Sequence, residues 1–414
     1  MTDTPSAHPQ PFRLMPLAFA ALAGTMAMMA YVAVIGPVVR RLGLPEWVAG
    51  LSVTAGGVFW MLLARWWGGV SDRHGRKPVL LIGLGAFALT YGALALGVDL
   101  ALRGLVAPLG VIALLIVTRS LVGAFYAAVP PTAAATIADH TLPQWRAASM
   151  AKLGTANALG MVVGPAAAGW LATHDLGLAL YAAAMLPLLA LLVVSLGVHH
   201  RVPPRVPHAA APAGGKKPGP ALGLFDPRLR QACTTAFLAM VSVAIAQVLV
   251  GFLAIDRLGL SEQAGARVAG LSLTAVGVSL VVSQQFVMRL KGVPPTRWIW
   301  LGALIAGLGF GGVLFAFSQS AILLCYGIAA FGMGLIFPTF QAMAANAVES
   351  HEQGAAAGVL SAAQGLGMVL GPLGGTLLYH VAPALPYLVV GAALLALSLF
   401  TAVRGGVRPA SRAH

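Results

Sequence analysis

Twelve apolar runs, nearly all of them twenty residues or more and separated by short polar breaks, leave this chain few choices of fold. A helix that crosses the hydrocarbon of a bilayer needs ~20 apolar residues. With no water there to satisfy backbone amides and carbonyls, only helices or a closed barrel can span. The runs are too long and too continuous for barrel strands, which alternate apolar and polar residues. The spacing predicts helices over 14–39, 48–70, 79–98, 105–138, 147–172 and 177–198, then 231–255, 268–288, 298–317, 322–348, 354–379 and 386–403. Only 9% of the residues are charged, against ~25% in a soluble domain. The chain is therefore an all-α membrane protein.

The net charge of +14 would suit nucleic acid, but its distribution excludes that partner. Alternate loops differ sharply in Lys and Arg. One set holds Arg40, Arg41, Arg103, Arg257 and Arg267; the other set, with the termini, holds most of the rest. The positive-inside rule then places both termini and the basic loops in the cytoplasm of a plasma (bacterial inner) membrane protein. The two cysteines, Cys233 and Cys325, lie inside apolar runs and predict neither a disulfide nor a metal site. The polar start lacks a basic leader, so the first run reads as a retained helix.

Residues 199–230, rich in Pro, Gly and Ala and basic, lie at the midpoint and read as a linker. They divide a six-helix half at 14–198 from another at 231–403, with tails at 1–13 and 404–414. The halves repeat. LGMVVGP at 159–165 returns as LGMVLGP at 366–372, and VAGLSVTA at 48–55 returns as VAGLSLTA at 268–275. Twelve transmembrane helices in two pseudo-symmetric six-helix bundles are expected, with a small-molecule site between the halves near the midplane.

The most charged turn is GGVSDRHGRKP at 68–78, between the second and third runs. Gly68, Asp72, Arg73, Gly75, Arg76 and Lys77 fit the pattern G-x-x-x-D-R-x-G-R-K. Arg119 followed by Gly123 forms a second motif. Gly160, Gly164, Pro165 and Gly169 form a third, echoed by Gly367, Gly371, Pro372 and Gly375. On these motifs the chain resembles the major facilitator superfamily over essentially all its length, and within it the twelve-helix drug:proton antiporter group. Ala168 departs from that group's paired glycines. The resemblance implies a proton-coupled efflux antiporter for a small organic molecule, working by alternating access, with no cofactor and no enzymatic activity. A proton-coupled importer and a non-transporting sensor remain open beside it.

The resemblance also implies roles. Asp72 is expected to meet the start of the eleventh helix near Gly354 when the halves close on the cytoplasmic side, where the helix dipole favours a carboxylate. Arg73, Arg76, Lys77, Asp139 and Arg146 would extend that latch. The glycine and proline motif is expected at the interface of the halves, since small residues three apart let helices approach closely. Arg119 is the one cation deep in an apolar run, which costs about 2.5 kcal/mol or more, so it is a functional candidate for proton coupling or for binding an anion.

No carboxylate falls at a helix centre, and the first helix has none. A lipophilic cation is thus a poorer substrate than a neutral, zwitterionic or anionic molecule. Proton coupling would have to use a boundary group: Asp256, Glu46 or Asp139. Candidates to line the cavity are Tyr31, Phe59, Trp60, Tyr126, Asn157, Gln247, Gln284, Phe337, Gln341 and Gln364. Asn157 and Gln364 occupy matching positions of the repeats. Besides substrate, protons and lipid no partner is expected, and the chain is expected to act as a monomer.

Overall fold

The computed structural model describes residues 14–141, 143–198, 226–290, 293–349 and 352–406. The tail expected at 1–13, the linker over 199–225 and the tail beyond 406 lie outside them. The first half contains α1 (Met15–Arg41), α2 (Trp47–His74), α3 (Arg76–Leu102), α4 (Pro108–Tyr126), α5 (Val129–His140), α6 (Pro143–Ala172) and α7 (Leu176–Gly197). The second contains α8 (Arg230–Leu258), α9 (Glu262–Arg289), α10 (Pro295–Gly312), α11 (Gln319–Asn346), α12 (Gln353–Val381) and α13 (Leu385–Gly406).

Local chemistry sets the ends. Gly75, at φ +95°, reverses the chain between α2 and α3, a backbone state that Cβ disfavours elsewhere. Asp175, Ser261 and Ser318 cap α7, α9 and α11 by accepting from the backbone amides of Leu178, Ala264 and Ala321. One expected run, 105–138, is broken. α4 ends at Tyr126 and α5 begins at Val129, because Pro130 and Pro131 supply no amide hydrogen to continue the ladder. Among the described residues, length and hydropathy qualify eleven helical segments to cross a membrane, with α4 and α5 counted as one. The remaining long helix, α6, is 30 residues and carries Gly, Pro and Asn.

The two halves share one packing scheme. α1 lies on α6 as α8 lies on α12; α2 lies on α4 as α9 on α11; α3 lies on α7 as α10 on α13. The halves meet where α1 crosses α8, α2 crosses α12 and α6 crosses α9. Leu89, Leu109, Leu192, Leu308 and Leu399 face outward and exposed. That apolar girdle would be a liability in water and is the ordinary surface of a membrane bundle.

Candidate functional site

Arg119 sits in α4 at 2% exposure, the largest fully buried side chain among the described residues. Its guanidinium lies 4.1 Å from the centre of the Tyr31 ring. Nη1 reaches the thioether sulfur of Met28 at 3.7 Å, and Nε has no partner. Tyr31 is itself fixed, since its hydroxyl bonds Ser52 Oγ at 2.7 Å while Ser52 donates to the carbonyl of Ala49. Tyr91 donates to the carbonyl of Ala27 at 2.7 Å. A side chain at Gly123 is barred by α2, whose Gly56 carbonyl oxygen would lie 2.0 Å from a Cβ there. The pair Arg119–Gly123 thus works as one device: the glycine brings α4 against α2, and the arginine occupies the space between α1 and α2.

Beside this site Thr25 donates to Asn157 Oδ1 at 2.8 Å and lies 3.2 Å from the Tyr126 hydroxyl. The expected cavity residues separate by depth. Tyr31, Tyr126 and Gln247 are buried within their own bundles. Asn157, Gln284, Phe337 and Gln364 are half-buried, and Phe59, Trp60 and Gln341 are exposed. A small cavity lies inside the second half, lined in part by Gln247, Phe310, Tyr326 and Met333. It is the internal counterpart of the Arg119 site. The turn Arg40-Arg41-Leu42-Gly43-Leu44 matches Asp256-Arg257-Leu258-Gly259-Leu260 at an offset of 216 residues, which carries Tyr31 onto Gln247. The offset of 207 that joins LGMVVGP to LGMVLGP carries Arg119 onto Tyr326. One half fills this position with a cation on an aromatic ring; the other leaves a void beside an amide.

At the end of the bundle remote from the termini, a charged network joins the halves. Arg40 donates through Nη1 to Glu46 at 2.9 Å and through Nη2 to Asp256 on α8. Tyr379 on α12 donates to Asp256 at 2.8 Å, and His380 Nδ1 lies 3.0 Å from Glu46. Arg41 and Glu262 add a 3.7 Å ion pair. Burial works against ionisation of Glu46, but hydrogen bonds from a backbone amide and His380, with the charge of Arg40, hold its carboxyl below its ordinary value. Glu46 and Asp256 were legible as boundary carboxylates; Arg40, Tyr379 and His380 were not singled out. The signal that finds the central pair is the same repeated turn, because Arg40 and Asp256 occupy equivalent positions of the two halves.

At the end bearing the termini, the hub of the GGVSDRHGRKP turn is Arg76 rather than Asp72. Arg76 binds Asp72, Asp139 (2.9 Å) and Ser71 Oγ (2.7 Å), tying the end of α2 to the end of α5. Asp72 has 64% of its side chain exposed and its ion pair stays within its own half. Lys77 donates to the Ser195 carbonyl in the last turn of α7, and Arg146 to the carbonyl of Ala138. Arg73 is exposed, and Gly68 has nothing near it.

The glycine motif needs correcting. Gly160 and Gly164 do not face the other half; they receive α1, with Cβ positions 2.8 and 2.7 Å from the carbonyl oxygens of Leu22 and Met26. Gly367, Gly371 and Gly375 receive α8 in the same way, against Phe237, Val241 and Ile245. A sequence shows that a helix has a small face but not which neighbour fills it. The halves instead meet at Gly169 and the Pro165 carbonyl against Gly270, and at Gly50 against the Pro372 carbonyl. These two crossings are related by the internal repeat. Gly36 of α1 touches the backbone of Gly251 and Phe252 of α8 at the same level. Farther toward the termini the contact continues: a Cβ at Gly365 would lie 2.9 Å from Met61 Sδ, one at Gly277 2.5 Å from Val162 and one at Gly57 3.9 Å from Val369, while positions at Gly68, Gly154 and Gly358 border open space. The halves are thus closed at the remote end.

The geometry agrees with the comparisons. A profile described as Major Facilitator Superfamily matches residues 16–372, and again 270–413. The chain is 32% identical to the tetracycline resistance protein, class G, of Vibrio anguillarum, over 84% of this chain and 85% of that one. It is 30% identical to the class C tetracycline resistance protein of Escherichia coli, with 75% of each covered. The solved structure of the nucleoside transporter NupG superposes with a TM-score of 0.72 at 13% identity, covering 94% of this chain and 99% of that one. Two repeated six-helix halves, the charged turn after α2, and a match over most of the length place this chain in the Major Facilitator Superfamily.

Proposed function

We propose that this membrane transporter is an exporter of a small organic molecule, driven by exchange for protons and working by alternating access in a bacterial inner membrane. The observation that carries the reading is the closure of the two halves at one end. Three pairs of helices touch backbone to backbone at one end, where the Arg40–Asp256 pair ties them. Toward the other end contact runs on through Met61–Gly365 and Val162–Gly277, beyond which Gly68, Gly154 and Gly358 border open space, and we infer that the helices separate there. Such an arrangement is one of the two states that a rocking transporter must visit. The positive-inside rule puts the closed end outside and both termini in the cytoplasm, so this state is open to the cytoplasm. The names of the similar proteins support export, with tetracycline as the first probe. Asp72 then acts in the opposite state, leaving Arg76 to meet the start of α12 when the cytoplasmic side closes.

The test is transport by the purified chain in proteoliposomes with an imposed pH gradient. Inside-out vesicles with an acidic lumen are expected to accumulate substrate, with collapse by a protonophore. Accumulation in right-side-out vesicles with acid outside would sink export and support symport.

A further inference from the structure

We propose that Arg119 is the binding group for an anionic function of the substrate, such as a carboxylate, sulfonate or phosphonate, with Met28 as its movable cover. This rests on the transport reading above and narrows its substrate class. A guanidinium withdrawn from water is strongly unfavourable unless an anion and hydrogen-bond acceptors replace the water. Arg119 has a ring face, a thioether sulfur and an unpartnered Nε instead.

No carboxylate on the helices around it comes near. The acidic residue of α2 is Asp72, sixteen residues beyond Gly56, which is ~24 Å along a helix. On α3, Asp99 is eight residues beyond Tyr91, ~12 Å, and is paired with Arg103. The described parts of α1 and α4 contain no Asp or Glu, and Glu46 is engaged by Arg40 and His380. The counter-ion this cation requires is therefore one that the described residues do not supply.

The cover is suited to moving. Met28 is only half-buried, and the sulfur of its flexible, soft side chain receives Nη1. The rest of the site is rigid: Tyr31 is held by Ser52, and Gly56 leaves room beside Nη2, which a Cβ there would approach at 3.6 Å. A planar fork of donors on a fixed ring matches a bidentate oxyanion.

The experiment uses the full chain in nanodiscs with matched pairs of probes, 2-naphthoate against 2-naphthamide and naphthalene-2-sulfonate against its sulfonamide. Thermal shift gives the apparent affinity. The acids are expected to stabilise the protein and the amides not. Arg119→Gln is expected to weaken acid binding about ten-fold or more, with Arg119→Lys between. Without probe, Arg119→Gln is expected to melt no lower than the parent, because it removes an uncompensated buried cation. Equal shifts from acid and amide, no shift from either acid, retained binding in Arg119→Gln, or a lower melting point for that variant each overturn the proposal. Flux of tetracycline and of the naphthalene probes by the same purified chain in proteoliposomes separates the two readings: flux with no preference for anions sinks only the anion site, whereas absence of flux for every probe sinks the exporter reading on which it rests.

Discussion

Arg40 is the residue on which the closed end depends, since one guanidinium holds Glu46 of its own half and Asp256 of the other. Arg40→Ala is expected to shift spin labels at Leu42→Cys and Leu258→Cys, in a background lacking Cys233 and Cys325, toward longer distances in double electron–electron resonance. The pH dependence has a definite sign. Glu46 titrates below its ordinary value, so its share of closure is present above the usual carboxylate range, ~4.3, and is lost only as pH falls through the lowered value. For the Glu46 contribution the label distances are expected to hold steady from pH 8 down to about 5 and to lengthen below that. A transition near neutral pH that vanished in Glu46→Gln would contradict this. Across the membrane, Asp72 and Arg76 divide function from scaffold. Asp72→Asn alters a largely exposed ion pair, so its cost in stability is about 0.5 kcal/mol or less, while transport is expected to fall steeply. Arg76→Ala strands two carboxylates and is expected to cost about 1–2 kcal/mol by thermal melt. The turn was legible in the sequence as a motif. Which of its charges is the hub was not, because Asp139 lies 63 residues from Arg76 and only folding brings them together.

At the scale of helices, the crossings carry the mechanism, and two classes of glycine behave differently. Gly50 faces the other half, and a Cβ there would meet the Thr376 hydroxyl and the Pro372 carbonyl at 2.1 and 2.5 Å. Gly164 faces α1 within its own half, against the Met26 carbonyl at 2.7 Å. Both crossings reject a methyl group, but on the proposed alternating-access cycle the first contact must open each time and the second need not. Gly50→Ala is therefore expected to bias the labelled pair toward the open distances with little change in melting point. Gly164→Ala is expected to cost about 1–3 kcal/mol by overpacking, with no such bias. The reverse pattern would mean that α1 and α6 are the moving pair. The length and number of the helices could be read from hydropathy alone, because the bilayer imposes them. The break at Ala127 and Ala128 was foreshadowed by Pro130 and Pro131 but hidden by an unbroken apolar run. The partners of the small faces were not legible, since Gly160 and Gly169 lie on one helix and meet different halves.

For the whole molecule, the proposed proton-coupled alternating access constrains which group can carry a proton. A carrier must face the two sides of the membrane in turn. Asp256 and Glu46 stand at the remote end, in a network that closes with the Gly36–Gly251 and Gly50–Pro372 crossings. When that end is shut they still face the same side, and when it opens they face it again. Such groups set how readily the end opens but not how many protons cross per substrate. Coupling ratio is a thermodynamic quantity, measured as the pH gradient at which net substrate flux vanishes. Asp256→Asn is therefore expected to slow transport, because Arg40 and Tyr379 lose their charged partner, while the reversal gradient stays at the parent value. A shifted reversal gradient would make Asp256 a carrier after all and would require a proton path past the closed crossing. An unshifted one leaves the coupling to a group that does change sides, the ionisable substrate itself beside Arg119. Asp139, held by Arg76 at the opposite end, faces one side by the same reasoning, so Asp139→Asn is also expected to leave the reversal gradient at the parent value.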